Sequence, residues 1–299
     1  MTTLVTPAPA ARAPGAGRLY VRRFGRNRAA LLGVALFVLL VLFSVLGGLL
    51  SPFAYTDADF TALTRPPDGT HWFGTNQGGN DVYAEAVHGL RRSLVIAVSV
   101  SVLTIVLAAV IGAGAAYLGG RVEKLTLAVI HFLLVVPSFL ILALVSHRLA
   151  GDWRVLILVL TVFGWMTTAR VVWSLSTSLR ERDYVLAAEF MGVRPWQIVL
   201  RHIIPNLGSL LVVNLTLGVV ATVLGETALS FLGFGVQPPD VSLGTMLADG
   251  SGSITSAPWL FAFPAGLVVL LTVSMTLVGD GLRDALDPTS VSAASGGTR

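Results

Sequence analysis

The chain has 299 residues, of which 54% are hydrophobic and only 12% charged, and its mean hydropathy of +0.79 excludes an ordinary soluble domain and places it in a bilayer. All but one of its 20 basic residues are arginines clustered near the ends of apolar runs, so membrane topology, not nucleic-acid binding, accounts for the pI near 10.0. It has no cysteine, which removes disulfides, thiolate metal sites and cysteine nucleophiles together.

In chain order, the Ala/Pro/Gly-rich residues 1–17 and the Ser/Gly-rich tail 289–299 read as disordered. A hydrocarbon core about 30 Å thick needs roughly 20 apolar residues in a helix. Runs of that size fall at about 29–50, 93–118, 125–149, 155–172, 207–224 and 259–278. The expectation is an all-α integral membrane protein: a six-helix membrane domain over 29–288 between cytoplasmic tails at 1–28 and 289–299. The first run is about twice the length of a signal-peptide core and reads as an uncleaved anchor. Pro137, within the third run, predicts a kink. The segments 51–92 and 234–258 are rich in Gly, Pro and Asp and read as structured outer caps over a pathway, their acidic excess either docking a substrate-delivery protein or simply solvated.

With both termini inside, only Arg65, Arg91, Arg92, Arg148 and Arg154 lie outside, and the other fifteen basic residues lie inside. The opposite orientation reverses the positive-inside bias. Trp72, Trp153, Trp165, Trp196 and Trp259 fall near span ends, where such rings meet lipid headgroups.

The polar segment within the predicted inside loop 173–206 contains two helix signals. Asp183 is placed to cap a helix over 184–191, and Gly192 to end it in the left-handed conformation. Tyr184, Ala187, Ala188 and Met191 then share one face, with two methyl-sized side chains that admit a close partner. Pro195 suits the first turn of a second helix, Trp196, Val199, Leu200 and Ile203 form its apolar face, and Pro205 is expected to end it. That second helix reads equally as a surface-lying amphipathic helix or as part of a protein-docking pair.

These residues resemble the permease subunits of ATP-binding-cassette importers, whose signature runs E-A-A-x3-G-x9-I-x-L-P. Ala187, Ala188, Gly192 and Pro205 match it, whereas Leu186, His202 and Ile204 depart from it. GETALSFLGFGVQPP and GDGLRDALDP, with RDYVLAAEFMG and RHIIPN, are similar to the C-type permeases of the dipeptide/oligopeptide/nickel branch. Such a resemblance implies a type I importer architecture and a cytoplasmic coupling helix at Asp183, Tyr184, Ala187, Ala188, Met191, Gly192 and Pro205. It implies as partners a second homologous permease, two ATPase subunits and an extracytoplasmic substrate-binding protein. It implies no cofactor of the chain's own, since ATP is bound by the partners. Further departures are His131 where the family has Asp before Pro137, and Trp173 where Arg is common.

Nothing in the chain resembles a phosphate-binding loop, because its only lysine, Lys124, stands between Glu123 and Leu125. An ion relay needs several ionisable groups inside the spans; only His131 and Glu226 are available. Each is weighed as a translocation-path residue against a structural role: a neutral imidazole bonded to a neighbouring helix, and a carboxyl capping a short outer helix. The rival function, an ion-coupled secondary transporter or channel, rests on those two residues. An intramembrane hydrolase lacks its motifs.

Overall fold

The computed structural model describes residues 16–137, 141 and 152–286. They form helices α1 (Ala16–Phe24), α2 (Arg28–Leu46), α3 (Val82–Leu118), α4 (Gly120–Val135), α5 (Trp153–Arg180), α6 (Asp183–Phe190), α7 (Pro195–Ile198), α8 (Gly208–Phe231), α9 (Leu243–Ser251) and α10 (Trp259–Leu286). Two isolated β-bridges, Ala58 with Asn80 and Thr75 with Asp81, are the only extended pairing among the described residues.

Five helical segments are long and apolar enough to cross a membrane: Arg28–Leu49, Val82–Leu118, Trp153–Arg180, Pro195–Phe231 and Trp259–Leu286. Each contains one of the predicted runs almost whole. Of the predicted run 125–149 only the first part is described. There α4 starts earlier, at Gly120, and stops at Val135, because Val136 is extended (φ −71°, ψ 126°) as the residue before a proline tends to be. Pro137 therefore marks the end of α4 where a kink inside a continuing helix was expected. Residues 138–140 and 142–149 of that run, and most of the predicted disordered tails (1–15 and 289–299), lie outside the described residues.

The 37 residues of α3 span roughly 55 Å at 1.5 Å per residue, nearly twice a hydrocarbon core. The helix starts well before the predicted span because Asp81 accepts a hydrogen bond from the Ala84 amide and so caps its first turn. Around α3 pack α5, α8 and α9, and α10 bridges α8 to α2. Small residues set these approaches, as expected where lipid supplies no hydrophobic drive. A Cβ added to Gly112 on α3 lies 2.5 Å from the Ala169 carbonyl oxygen on α5. On the opposite flank a Cβ on Gly281 lies 2.2 Å from the Ala30 Cβ, fixing α10 against α2.

One end of the bundle is covered by the segment before α3. His71 Nδ1 sits 2.8 Å from Asp81 Oδ2 with both side chains buried, and its ring stacks on Phe53 at 4.6 Å. The Trp259 indole donates to the Thr75 carbonyl oxygen at 3.3 Å, and Phe73 stacks on Phe263 at 3.9 Å. The predicted cap is thus seated on α10. At the opposite end lie the C-termini of α3 and α5, where Arg180 donates to the Ala116 carbonyl oxygen at 3.3 Å and the Trp173 indole to Glu123 at 2.8 Å.

Gly112→Val overpacks the α3–α5 contact and is expected to cost about 1–3 kcal/mol. A thermal melt of the purified protein in detergent should show a fall of several degrees.

Candidate functional site

At the end of the bundle away from the cap, α6 packs between α5 and α7. It closes with a left-handed residue: Gly192 has φ +75°, its amide donates to the Glu189 carbonyl at 2.9 Å, and the Val193 amide donates to the Ala188 carbonyl at 3.1 Å. Those two bonds satisfy carbonyls that the helix end leaves unpaired. The left-handed ending expected at Gly192 is found. The start differs from expectation by one residue. Arg182 is the extended flanking residue (φ −77°, ψ 142°) with no side-chain cap, and Asp183 lies inside the first turn. There its carboxylate complements the positive end of the helix dipole without capping it.

Val185 and Ala188 turn inward and join a buried cluster with Ala113 and Tyr117 of α3, Val172 of α5, and Ile198, Val199, Ile203 and Leu207. Tyr184, Ala187 and Met191 face away, so the predicted four-residue face is divided, with Ala188 serving the bundle. The outward side also carries Phe190, 89% exposed, beside Met191 at 76%. Phe190 escaped the sequence reading, which followed the small residues; a large aromatic one residue from the predicted face was the available signal.

Pro205 does not end a helix. The helical chain runs without a break from Pro195 to Phe231. Proline has no N–H and its ring crowds the preceding turn. Here the chain widens beforehand: residues Val199–Ile203 form a π-type turn, with the Ile204 amide donating five residues back to the Val199 carbonyl. A tighter turn over Ile204–Leu207 follows, and α8 continues. The expected second helix is therefore the base of a membrane rod. Its buried side is Ile198, Val199, Ile203 and Leu207, while Trp196 and Leu200, placed on the apolar face by spacing, are half exposed. Pro195 occupies the first helical turn, as expected.

The two ionisable candidates lie on different helices. Glu226, on α8, is 1% exposed. It accepts from Ser93 Oγ of α3 at 3.2 Å and from Ser230 Oγ at 2.6 Å, while Ser93 Oγ in turn accepts from the Leu243 amide at the start of α9 at 3.2 Å. This carboxyl ties three elements together. Its i, i+4 relation to Ser230 was visible in the sequence; Ser93 comes from a distant position and was not. His131 lies on the exposed surface of α4 and has no hydrogen-bond partner among the described residues, so the expected bond to a neighbouring helix is not found there.

The acidic residues of the cap end are largely engaged internally. Of Asp57, Asp59, Asp68, Asp81, Glu85, Asp152, Asp240 and Asp249, all but Asp249 accept a hydrogen bond from within this chain. Asp240 accepts from Arg92 Nη2 at 2.6 Å, and the same oxygen lies 3.1 Å from His88 Nε2. Partial burial pushes this carboxyl up, but the bonds and charges of Arg92 and His88 outweigh burial and hold it below the usual carboxylate range. The Arg92 guanidinium also lies 4.3 Å above the Trp153 ring.

Among the described residues an all-helical bundle with five membrane-length segments, a packed cap at one end and a short helix with exposed apolar side chains at the other has the architecture of an integral membrane protein. Comparison with known proteins is specific. The family described as binding-protein-dependent transport system inner membrane component matches residues 105–290, and the N-terminal TM domain of oligopeptide transport permease C matches residues 16–67. The oligopeptide transport system permease protein OppC of Mycobacterium tuberculosis (strain ATCC 25618 / H37Rv) is 46% identical over 280 residues, 93% of this chain and 96% of that one. OppC of Escherichia coli (strain K12) is 36% identical over 269 residues, covering 89% of each. The dipeptide transport system permease protein DppC of Bacillus subtilis (strain 168) is 34% identical over 269 residues, 89% of this chain and 84% of that one. The chain belongs to this family of ATP-binding-cassette importer permeases, in its oligopeptide/dipeptide C-type branch. Its members are transport subunits, not enzymes.

Because its carboxyl is held below the ordinary value, Asp240 stabilises the fold in its charged form. The stabilisation is full above the ordinary carboxylate pKa of about 3.9 and is lost as pH falls through the folded value below it. Asp240→Asn is expected to lower stability by about 1 kcal/mol at pH 7, and the difference from the parent chain should shrink below about pH 4. Thermal melts of both chains across that range measure it.

Proposed function

We propose that the chain is one of two homologous permeases that together form a peptide pathway through the bacterial plasma membrane. Both termini are cytoplasmic and six spans lie within 29–288. Two ATPase subunits bind below it, and a binding protein delivers di- or oligopeptides from the extracytoplasmic side. The reading is supported by relatives named as oligopeptide and dipeptide permeases and by the excess of arginines on one side. Those relatives do not favour the ion-coupled alternative.

One observation carries the coupling role. α6 is anchored on one side through Val185 and Ala188, and on the other exposes Tyr184, Ala187, Phe190 and Met191. Exposed apolar side chains on so small an element mark a protein contact, and an ATPase cleft is the partner this family supplies. Closure of the ATPases on ATP moves α6. Because α6 packs on the base of the Pro195–Phe231 rod and on α5, that movement reaches the membrane bundle and turns the pathway from inward- to outward-facing. Asp183 supports the first turn of α6, Gly192 its left-handed end, and Pro205 the transition into the rod. Glu226 and His131 are secondary candidates for the pathway, Glu226 acting first as a tie between α3, α8 and α9.

Gly192 tests the lever. No heavy atom lies within 4 Å of a Cβ added there, so a substitution acts through its φ of +75°, which β-branched residues resist by about 1–2 kcal/mol or more. Gly192→Val is expected to abolish ATP-driven peptide uptake in vesicles while the chain remains in the membrane. Gly192→Asn, which tolerates this conformation, should retain much of it. Uptake at the parent rate by Gly192→Val with ATPases bound would remove the coupling role. Phe190→Asp together with Met191→Asp should lose the ATPases on copurification.

A further inference from the structure

Between α5 and α8, at mid-depth in the bundle, lies a groove of about 340 Å³ whose floor is α3, a volume in the range of small-molecule sites. Each helix contributes a single stripe. Thr104 comes from α3, Gly164 and Thr168 from α5, and Asn214, Gly218 and Thr222 from α8. The i, i+4 and i, i+8 spacings put each stripe on one helical face. Among the described residues no Asp, Glu, Lys, Arg or His lines it. Neither Glu226 nor His131 is part of its wall.

The lining is mixed: Val100, Ile105, Leu160, Leu217 and Ala221 supply its apolar part, and Asn214 and the threonines set polar groups among them. Among the described residues the Thr168 and Thr222 hydroxyls have no hydrogen-bond partner, and the Asn214 side chain makes a single bond, donating Nδ2 to the Leu210 carbonyl at 2.9 Å. Its carbonyl oxygen and second N–H remain open. A polar group facing hydrocarbon unpaired is costly, so the groove takes water or a polar occupant. Hydroxyl and carboxamide groups each donate and accept, and so complement the alternating N–H and C=O groups of a peptide backbone. A fixed charge at this depth would hold peptides of opposite charge strongly, because the surroundings screen little.

We propose that this groove is the part of the pathway wall against which the peptide backbone moves, with Asn214, Thr168 and Thr222 exchanging hydrogen bonds with it and no fixed charge selecting among side chains. This rests on the peptide-permease reading above and adds the residues that meet the cargo.

The absence of cysteine makes the test direct. Thr222→Cys and, as a control on the exposed outer surface of α10, Val269→Cys are placed singly in the assembled complex in vesicles. Each is treated with a membrane-impermeant thiol reagent, and labelling of this chain is read by mass spectrometry. Cys at 222 should be labelled and should be protected by transported peptide; Cys at 269 should not be labelled. Labelling that peptide leaves unchanged, or a residue 222 that is sealed in every nucleotide state and cross-links to the second permease, overturns the proposal. In a second arm, the parent complex should take up lysine-containing and glutamate-containing peptides at similar rates. Asn214→Asp should shift that ratio by about tenfold or more through the new charge; an unchanged ratio counts against the groove. A parent complex that takes up no peptide refutes the permease reading itself. Peptide uptake by the parent with both arms negative refutes only the groove.

Discussion

The hydrogen bond from the Ile204 amide back to the Val199 carbonyl is the constraint on which the proposed mechanism depends. Pro205 would ordinarily cut the helix, leaving the segment after Gly192 as a loop hinged to the span. Because the turn before it is widened and the turn after it tightened, the missing N–H is absorbed and 37 residues stay in one rod. A hinge at this position would dissipate movement of α6. A continuous rod transmits it, since a helix bends far less readily than a loop of the same length.

The membrane runs were legible because hydrocarbon thickness imposes a length on them, and five reappear almost whole within helical segments. Boundaries were less so. Residues 82–92 look like loop by hydropathy and are helix because Asp81 caps them, a local bond that an apolarity window does not detect. The left-handed Gly192 was readable from a single residue type in the right place. Pro205 was misjudged for a related reason: proline is a helix breaker on average, and the compensating turn is made by residues whose types give no hint of it. Asp183 differs from its expected role by one position, within the usual uncertainty of a helix end.

The division of the α6 face is equally physical. Spacing groups Tyr184, Ala187, Ala188 and Met191, but an eight-residue helix lying across a bundle must bury one side and leave another free. Which side is buried is settled by Tyr117, Val172 and Ile203, all distant in sequence. The sequence pattern marked out a short helix with a small-residue face; tertiary packing assigned Ala188 to the bundle and left Phe190 exposed.

The rod that begins beneath α6 passes the neutral groove at Asn214, Gly218 and Thr222 and reaches Glu226, where Ser93 joins it to α3 and, through the Leu243 amide, to the start of α9. One helical rod thus meets α6 at its base, lines the groove at mid-depth and is tied near its far end to the elements beneath the cap. The two attachments differ in kind. At the base the contact is apolar, non-directional and able to slide; at the far end it is a set of directional bonds around a buried carboxyl, costly to break because each partner would be left unpaired. In the proposed mechanism a displacement applied at the base pivots the rod about the Glu226 tie. In that mechanism the largest relative motion against α5 falls on the groove side of the tie.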